Sequence, residues 1–185
     1  QLGKKDEIIT TIFSHPTNAA VAKLMGFKLV TIYPGKDGRP DFEAFTSAVN
    51  ERTAAFMVTN PEDTGLYNSR IREFTDLVHK AGGICSYDQA NLNAIIGITR
   101  AKEAGFDLCF FNLHKTFSAP HGCGGPGRGV VGGRDFLKQY LPVPLVATHP
   151  ATGAYFLDHD LPHSVGQITH FPGNLYPLLT GAACI

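Results

Sequence analysis

His114-Lys115-Thr116 and the glycine tract Gly122-Cys123-Gly124-Gly125-Pro126-Gly127 set one lysine between an apolar run, residues 108–113, and a loop poor in side chains. A lysine just past a buried strand is expected to be desolvated, which disfavours the ammonium form and favours the neutral amine that attacks an aldehyde. An aldehyde cofactor such as pyridoxal phosphate is held through a lysine Schiff base of this kind. A surface lysine in a Gly-rich turn is the plainer reading of the same residues. Two further polar groups bear on the choice. Asn60 follows an apolar run at 54–59, and Asp88 follows another at 84–87. In an open parallel sheet ligands sit beyond the carboxyl ends of the strands, so one rim would collect an amide, a carboxylate and an amine. Pyridoxal phosphate asks for that set: an amine for its aldehyde, an acid to keep its ring nitrogen protonated, and a donor for its ring hydroxyl. Singly, Asp88 could cap a turn and Asn60-Pro61 could open one. Jointly the three are specific.

Other groups carry less. His114 adjoins the lysine, and His15 and His121 flank loops where an imidazole could meet a phosphate or carboxylate. The spacing G-x-G-x-x-G occurs at 127–132, but no strand is expected before it and no acid follows at the required distance, so a dinucleotide site is rejected. A phosphate-binding Walker loop is excluded because no Gly-Lys-Ser/Thr follows the glycines. His159, Asp160 and His163 lie in a Pro-broken stretch, and no metal site is assigned to them.

The elements that must position this set are legible up to Gly133. Residues 18–25 read as a helix stopped by Gly26, and 28–33 as a β-rich strand. Asp41 can cap a helix reaching Val49. Ser69 can cap another, with Ile71, Phe74, Leu77 and Val78 on one face and Gly82-Gly83 at its end. With the strands at 54–59, 84–87 and 108–113, the alternation predicts an α/β fold, a mostly parallel sheet flanked by helices. Beyond residue 140, Pro142, Pro144, Pro150, Pro162, Pro172 and Pro177 predict irregular structure. Two regions are therefore expected, a cofactor-binding domain over 1–140 and an irregular Pro-rich segment over 141–185.

The chain has 185 residues, with 16 Lys+Arg balanced by 16 Asp+Glu, so nothing steers it to nucleic acid or to an anionic membrane. Its apolar runs are far below spanning length. Four cysteines without a C-x-x-C argue against a disulfide framework or zinc site, and no signal peptide is visible, so a cytoplasmic setting is the default expectation. Gln1 is not a start methionine and the last eight residues read like a helix cut partway, so a piece of a longer protein is expected.

Several blocks together resemble a known family. They are Ser14-His15-Pro16-Thr17-Asn18-Ala19-Ala20, Thr59-Asn60-Pro61, Ala81-Gly82-Gly83, the block 87–94 beginning Tyr87-Asp88-Gln89-Ala90, Asn112-Leu113-His114-Lys115-Thr116-Phe117, Pro120-His121-Gly122 and Leu141-Pro142-Val143-Pro144. They resemble the P-protein of the glycine cleavage system, glycine dehydrogenase (decarboxylating), and within it the lysine-bearing second subunit. The resemblance implies a partial large domain of a fold type I (aspartate aminotransferase-like) pyridoxal-phosphate enzyme. It implies that Lys115 forms the internal aldimine, Asp88 pairs with the pyridinium nitrogen and Ala90 lies against a ring face. It places Asn60, Asn112, His114 and His121 near the cofactor, with His114 among the catalytic groups. The implied reaction is decarboxylation of glycine with transfer of the aminomethyl group to the lipoyl arm of the H-protein, an oxidoreduction. The implied assembly is a homodimer or a heterotetramer with a companion subunit, cytoplasmic or, in a eukaryote, in the mitochondrial matrix. Pro16, Gln89 and Cys123 depart from the family pattern. Two rivals stay open: another fold type I enzyme, aminotransferase or desulfurase-like, and a catalytically silent partner subunit.

Overall fold

The computed structural model describes residues 5–171 and 173–185; Gln1 and Pro172 lie outside the described residues. Six strands form the main sheet: β1 (Glu7–Thr11), β2 (Lys28–Ile32), β3 (Thr53–Thr59), β4 (Ile84–Asp88), β5 (Leu108–Asn112) and β6 (Gly129–Gly133). Their order is β2-β1-β3-β4-β5-β6, parallel except for β6, which returns antiparallel along the edge. The expected α/β architecture is therefore present, with two strands that the residue pattern does not announce.

Helices α1 (Pro16–Leu24), α2 (Phe42–Ala48) and α3 (Ile71–Lys80) fill the crossovers. One sheet face buries Ile9, Phe56, Val58, Cys85 and Tyr87 with Phe45 of α2 and Phe74 and Val78 of α3. Its aromatic rings stack closely: Phe45 lies 4.5 Å from Phe74 and Tyr87 lies 4.3 Å from Phe106 between centroids. Such pairs add roughly 0.5–1.5 kcal/mol to the burial of their area. The opposite face is thinner, with Ile8 and Ala55 packed on Ala22 of α1. A wide apolar stripe on α3 and a narrow one on α1 follow from these two environments.

Helix ends are set locally. Asp41 Oδ1 accepts the Ala44 N–H at 2.9 Å, the cap expected for α2. For α3 the expected cap is corrected: Arg70 occupies the cap position without a side-chain bond, and Asn68 Oδ1 accepts the Arg70 N–H at 3.0 Å. Ser69 is exposed. At the start of α1, His15 Nδ1 accepts the Thr17 N–H and Pro16 stands at the first helical position. Its missing N–H costs nothing there, because the first donors of a helix have no partner inside it.

Past β6 the expectation of irregular structure is met only in part. A 3-10 turn (Asp135–Tyr140) leads to a hairpin of β7 (Leu145–Thr148) and β8 (Tyr155–Asp158). Helix α4 (Leu113–Thr116) directly follows β5, and α5 (Leu175–Cys184) ends the described chain. Gly181 of α5 packs so close to Leu113 that a Cβ there would lie 3.1 Å from its Cδ1, which seats α5 against α4.

Candidate active site

Parallel strands put all their carboxyl ends on one side of the sheet, and the candidate residues cluster there. Thr59 of β3 pairs with Asp88 of β4, and Asp88 pairs with Phe110 of β5. The ladder continues past the strand ends, with the Gln89 N–H donating to Phe110 O and the Asn112 N–H to Ala90 O, both at 3.0 Å. Asp88, Ala90 and Asn112 thus stand side by side, and Lys115 follows one helical turn beyond.

Asp88 is buried, 4% exposed, and both carboxylate oxygens are engaged. Oδ1 accepts the Ala90 N–H at 3.1 Å and Oδ2 accepts the Asn18 amide at 3.2 Å. Tyr87 points into the core, so alternation turns Asp88 to the face that carries α1. Sequence reasoning singled out Asp88 but not Asn18. The signal available was an amide one helical turn before Ala22, on the same face.

Lys115 sits in α4 and is exposed. The desolvated setting expected from its place after a buried strand is not present, because the strand delivers it to the rim rather than to the interior. His114 is half-buried beside it. Its Nδ1 accepts the Arg128 N–H at 3.1 Å, which leaves Nε2 to carry the proton of the neutral ring. Burial, then the neighbouring His121, holds the His114 imidazole below its usual range. The two rings lie 4.2 Å apart, and both crowd Gly127, where a Cβ would sit 3.1 Å from each. That contact explains why a glycine stands at 127. Gly129 lies against Asn112 in the same way, a Cβ there falling 3.2 Å from Asn112 Oδ1.

Asn60 belongs to the rim but turns inward. Its Nδ2 donates to Asn68 O at 3.2 Å, its Oδ1 accepts the Asn68 N–H at 2.8 Å, and the Tyr87 hydroxyl donates to its carbonyl. At 2% exposure its amide ties down the loop 60–68 and is not presented to a ligand. His15 stands at the carboxyl end of β1, where its N–H donates to Thr59 Oγ1 at 3.1 Å, so a fourth strand end joins the rim. His121 is exposed.

A metal-capable trio, His79, Cys85 and Asp107, lies at the other end of the sheet. Asp107 Oδ2 accepts the Cys85 N–H at 2.8 Å and stands 2.8 Å from His79 Nε2, while Arg134 Nε lies 3.5 Å from Oδ1. Burial pushes the Cys85 thiol well up, against the thiolate a metal needs. The trio reads as a tie between α3 and the starts of β4 and β5. The G-x-G-x-x-G spacing ends in β6 and is followed by the short 3-10 turn Asp135–Tyr140, not by an α-helix whose start could receive a pyrophosphate.

Residues 1–151 match the family described as aminotransferase class V. The chain belongs to the class-V aminotransferase family. Pyridoxal phosphate is the cofactor that membership in this family implies. The chain is 48% identical over 171 residues to the probable glycine dehydrogenase (decarboxylating) subunit 2 of Thermococcus onnurineus, covering 92% of this chain and 34% of that one. To the protein of the same name from Treponema denticola it is 44% identical, covering 98% and 37%. It thus spans about a third of the length of these relatives. The motif resemblance to the glycine cleavage P-protein is borne out by these relatives. Among solved structures, the Escherichia coli cysteine desulfurase CsdA superposes with a TM-score of 0.70 at 20% identity, over 97% of this chain and 44% of that one. A Burkholderia pseudomallei sphingosine-1-phosphate lyase gives 0.68 at 15%, over 97% and 40%. These likenesses establish the fold. Among the described residues no helix is long and apolar enough to cross a membrane.

Proposed function

We propose that this chain forms the lysine-bearing part of a glycine dehydrogenase (decarboxylating), binding pyridoxal phosphate between Lys115 and Asp88. The observation that carries this reading is Asp88: a buried carboxylate, fixed through both oxygens, on the same sheet edge as an exposed amine. A buried acid without a counter-charge is costly, and a protonated ring nitrogen supplies one. The donor set fits the cofactor. Lys115 would hold the aldehyde, Asp88 would hold the ring-nitrogen proton, and Ala90 would offer a small side chain at the same rim. Asn112, His114 and His121 would line the same rim, where they pack against the glycines at 127 and 129. Asn60 acts indirectly, by fixing the loop beneath that rim.

Bound there, pyridoxal phosphate supplies the electron sink that makes loss of carboxylate from an amino acid easy. The chain's own residues supply placement. Asp88 would keep the ring nitrogen charged, His114 keeps the glycine tract in register through Arg128, and Gly122 and Gly124, with nothing within 4 Å of the place a side chain would take, leave the loop open to a ligand. Glycine as substrate, the lipoyl arm of an H-protein as acceptor and a companion subunit are supported by the relatives' names and by the motif blocks.

Borohydride reduction of the intact protein loaded with pyridoxal phosphate, followed by mass mapping, tests the site. Modification of Lys115 is expected, together with glycine-dependent CO₂ release when lipoylated H-protein is supplied. Labelling elsewhere removes the lysine assignment; transfer of the amino group to a keto acid without CO₂ release favours an aminotransferase.

A further inference from the structure

Asn18 is buried, 3% exposed, in the first turn of α1. It shares its helix face with Ala22, wholly buried one turn later, against Ile8 and Ala55 of the sheet. An amide on such a face is costlier than alanine unless something accepts its hydrogen bond. Asp88 Oδ2 does so, at 3.2 Å across 70 residues of sequence. The other oxygen is held by the Ala90 N–H, two residues along the same strand end. One contact leaves a carboxylate free to rotate about its last bond. Two contacts, one from the end of β4 and one from α1, fix its plane.

The start of α1 is built to keep that amide in place. His15 Nδ1 accepts the Thr17 N–H, the Asn18 N–H donates to His15 O at 3.0 Å, and Pro16 presets the first helical φ. The His15 N–H is tied in turn to Thr59 Oγ1 beside Asp88 on β3. Every joint between Asn18 and the sheet is therefore hydrogen-bonded.

We propose that Asn18 is a positioning residue, whose amide orients the Asp88 carboxylate so that it holds the proton on the cofactor's ring nitrogen. The inference rests on the assignment of Asp88 to that nitrogen, and it adds a residue from another element that acts only through Asp88.

The test uses the intact protein loaded with pyridoxal phosphate labelled with ¹⁵N in the ring, whose chemical shift reports protonation of that nitrogen. In the unmodified protein the shift is that of a protonated nitrogen at neutral pH. Asn18→Leu, of similar size and without polar side-chain atoms, moves the shift toward the unprotonated value and lowers CO₂ release about tenfold with KM for glycine unchanged, the effect of one hydrogen bond to a charged group. Asn18→Ala removes the same donor without adding a charge and moves the shift in the same direction. A role in packing alone lowers the melting temperature and leaves the ¹⁵N shift unmoved in both variants, and that result overturns the proposal. If one variant fails to fold, the other gives the same decision. Absence of any lysine-bound absorbance in the unmodified protein instead overturns the cofactor assignment itself, which separates the two failures.

Discussion

Glu7 and Glu62 are both buried, each 4% exposed, and their surroundings ask opposite things of the same side chain. Glu7 accepts from the Asn50 amide and from Lys28 Nζ, each at 2.9 Å, and these bonds hold its carboxyl below the usual range. Glu62 has an oxygen with no partner; burial pushes its carboxyl up, the Thr11 hydroxyl opposes this, and the nearby charge of Asp63 adds to it. The signs follow from proton uptake. A lowered folded value means the unfolded chain binds more protons, so the Glu7 contribution is present above the ordinary glutamate range and is lost as pH falls through the folded value. A raised folded value means the reverse: Glu62 costs nothing in acid and costs stability as pH rises from the ordinary range through its folded value. Glu7→Gln is expected to destabilise by about 2 kcal/mol at neutral pH and by progressively less as acid takes the pH through the lowered folded value, by denaturant titration. Glu62→Gln is expected to stabilise by about 1 kcal/mol at neutral pH, with the gain vanishing in acid. Equal effects at neutral and at acid pH would remove these charge assignments. At this scale Asp88 is legible because a polar residue directly after an apolar run stands out, and Lys115 because it stands between such a run and a glycine tract. The inward turn of Asn60 was not, because its partner, the backbone of Asn68, follows from how the loop closes.

Turn glycines separate local from tertiary demands on the elements. Gly26 follows α1 with φ of +80° and nothing within 4 Å of the place a methyl would take, so Gly26→Ala meets only the backbone penalty, about 1 kcal/mol. Gly105 has φ of +90°, and a Cβ there would fall 2.3 Å from Thr75 Oγ1 and 3.1 Å from Arg72 Cδ of α3. Thr75 is itself fixed by its bond to Ala104 O at 3.0 Å, so it cannot withdraw without losing that bond. Gly105→Ala is therefore expected to cost about 3 kcal/mol and to lower the melting temperature by roughly 6–12 °C, against about 2–4 °C for Gly26→Ala. Similar melting points for the two would show that the loop at 105 relaxes freely. The same contrast explains which elements the residues announce. The apolar stripe of α3 and the cap of α2 are local and readable. β1 is not, since Glu7, Thr10 and Thr11 are buried polar residues satisfied largely by distant partners, Thr10 by Met57 O at 2.7 Å. Nor is β6, three glycines in five residues, which is a strand only because β5 pairs with it from Leu108↔Gly133 to Asn112↔Gly129.

At the scale of the whole molecule the main core is deep between β1–β5 and the helices α2 and α3, while residues 141–185 leave apolar side chains in water. Val146 and Leu157 face each other across the β7–β8 hairpin at 71% and 61% exposure, and Tyr155 is exposed beside them. A two-stranded hairpin buries too little to be stable alone, so such a pair gains by meeting another apolar surface. The relatives are about three times as long as this chain, and in them further residues are available to supply such a surface. Taken by itself, the 185-residue chain is expected to self-associate at micromolar concentration, seen as a molar mass that rises with loading in light scattering. Replacing the pair by Val146→Lys with Leu157→Glu puts opposite charges across the strands, which suits a hairpin and repels an apolar partner. The double variant is expected to lower the association severalfold with the melting temperature within a few degrees of the parent. A chain that stays monomeric at every loading would show that this surface is tolerated in water, and the hairpin would then need no partner.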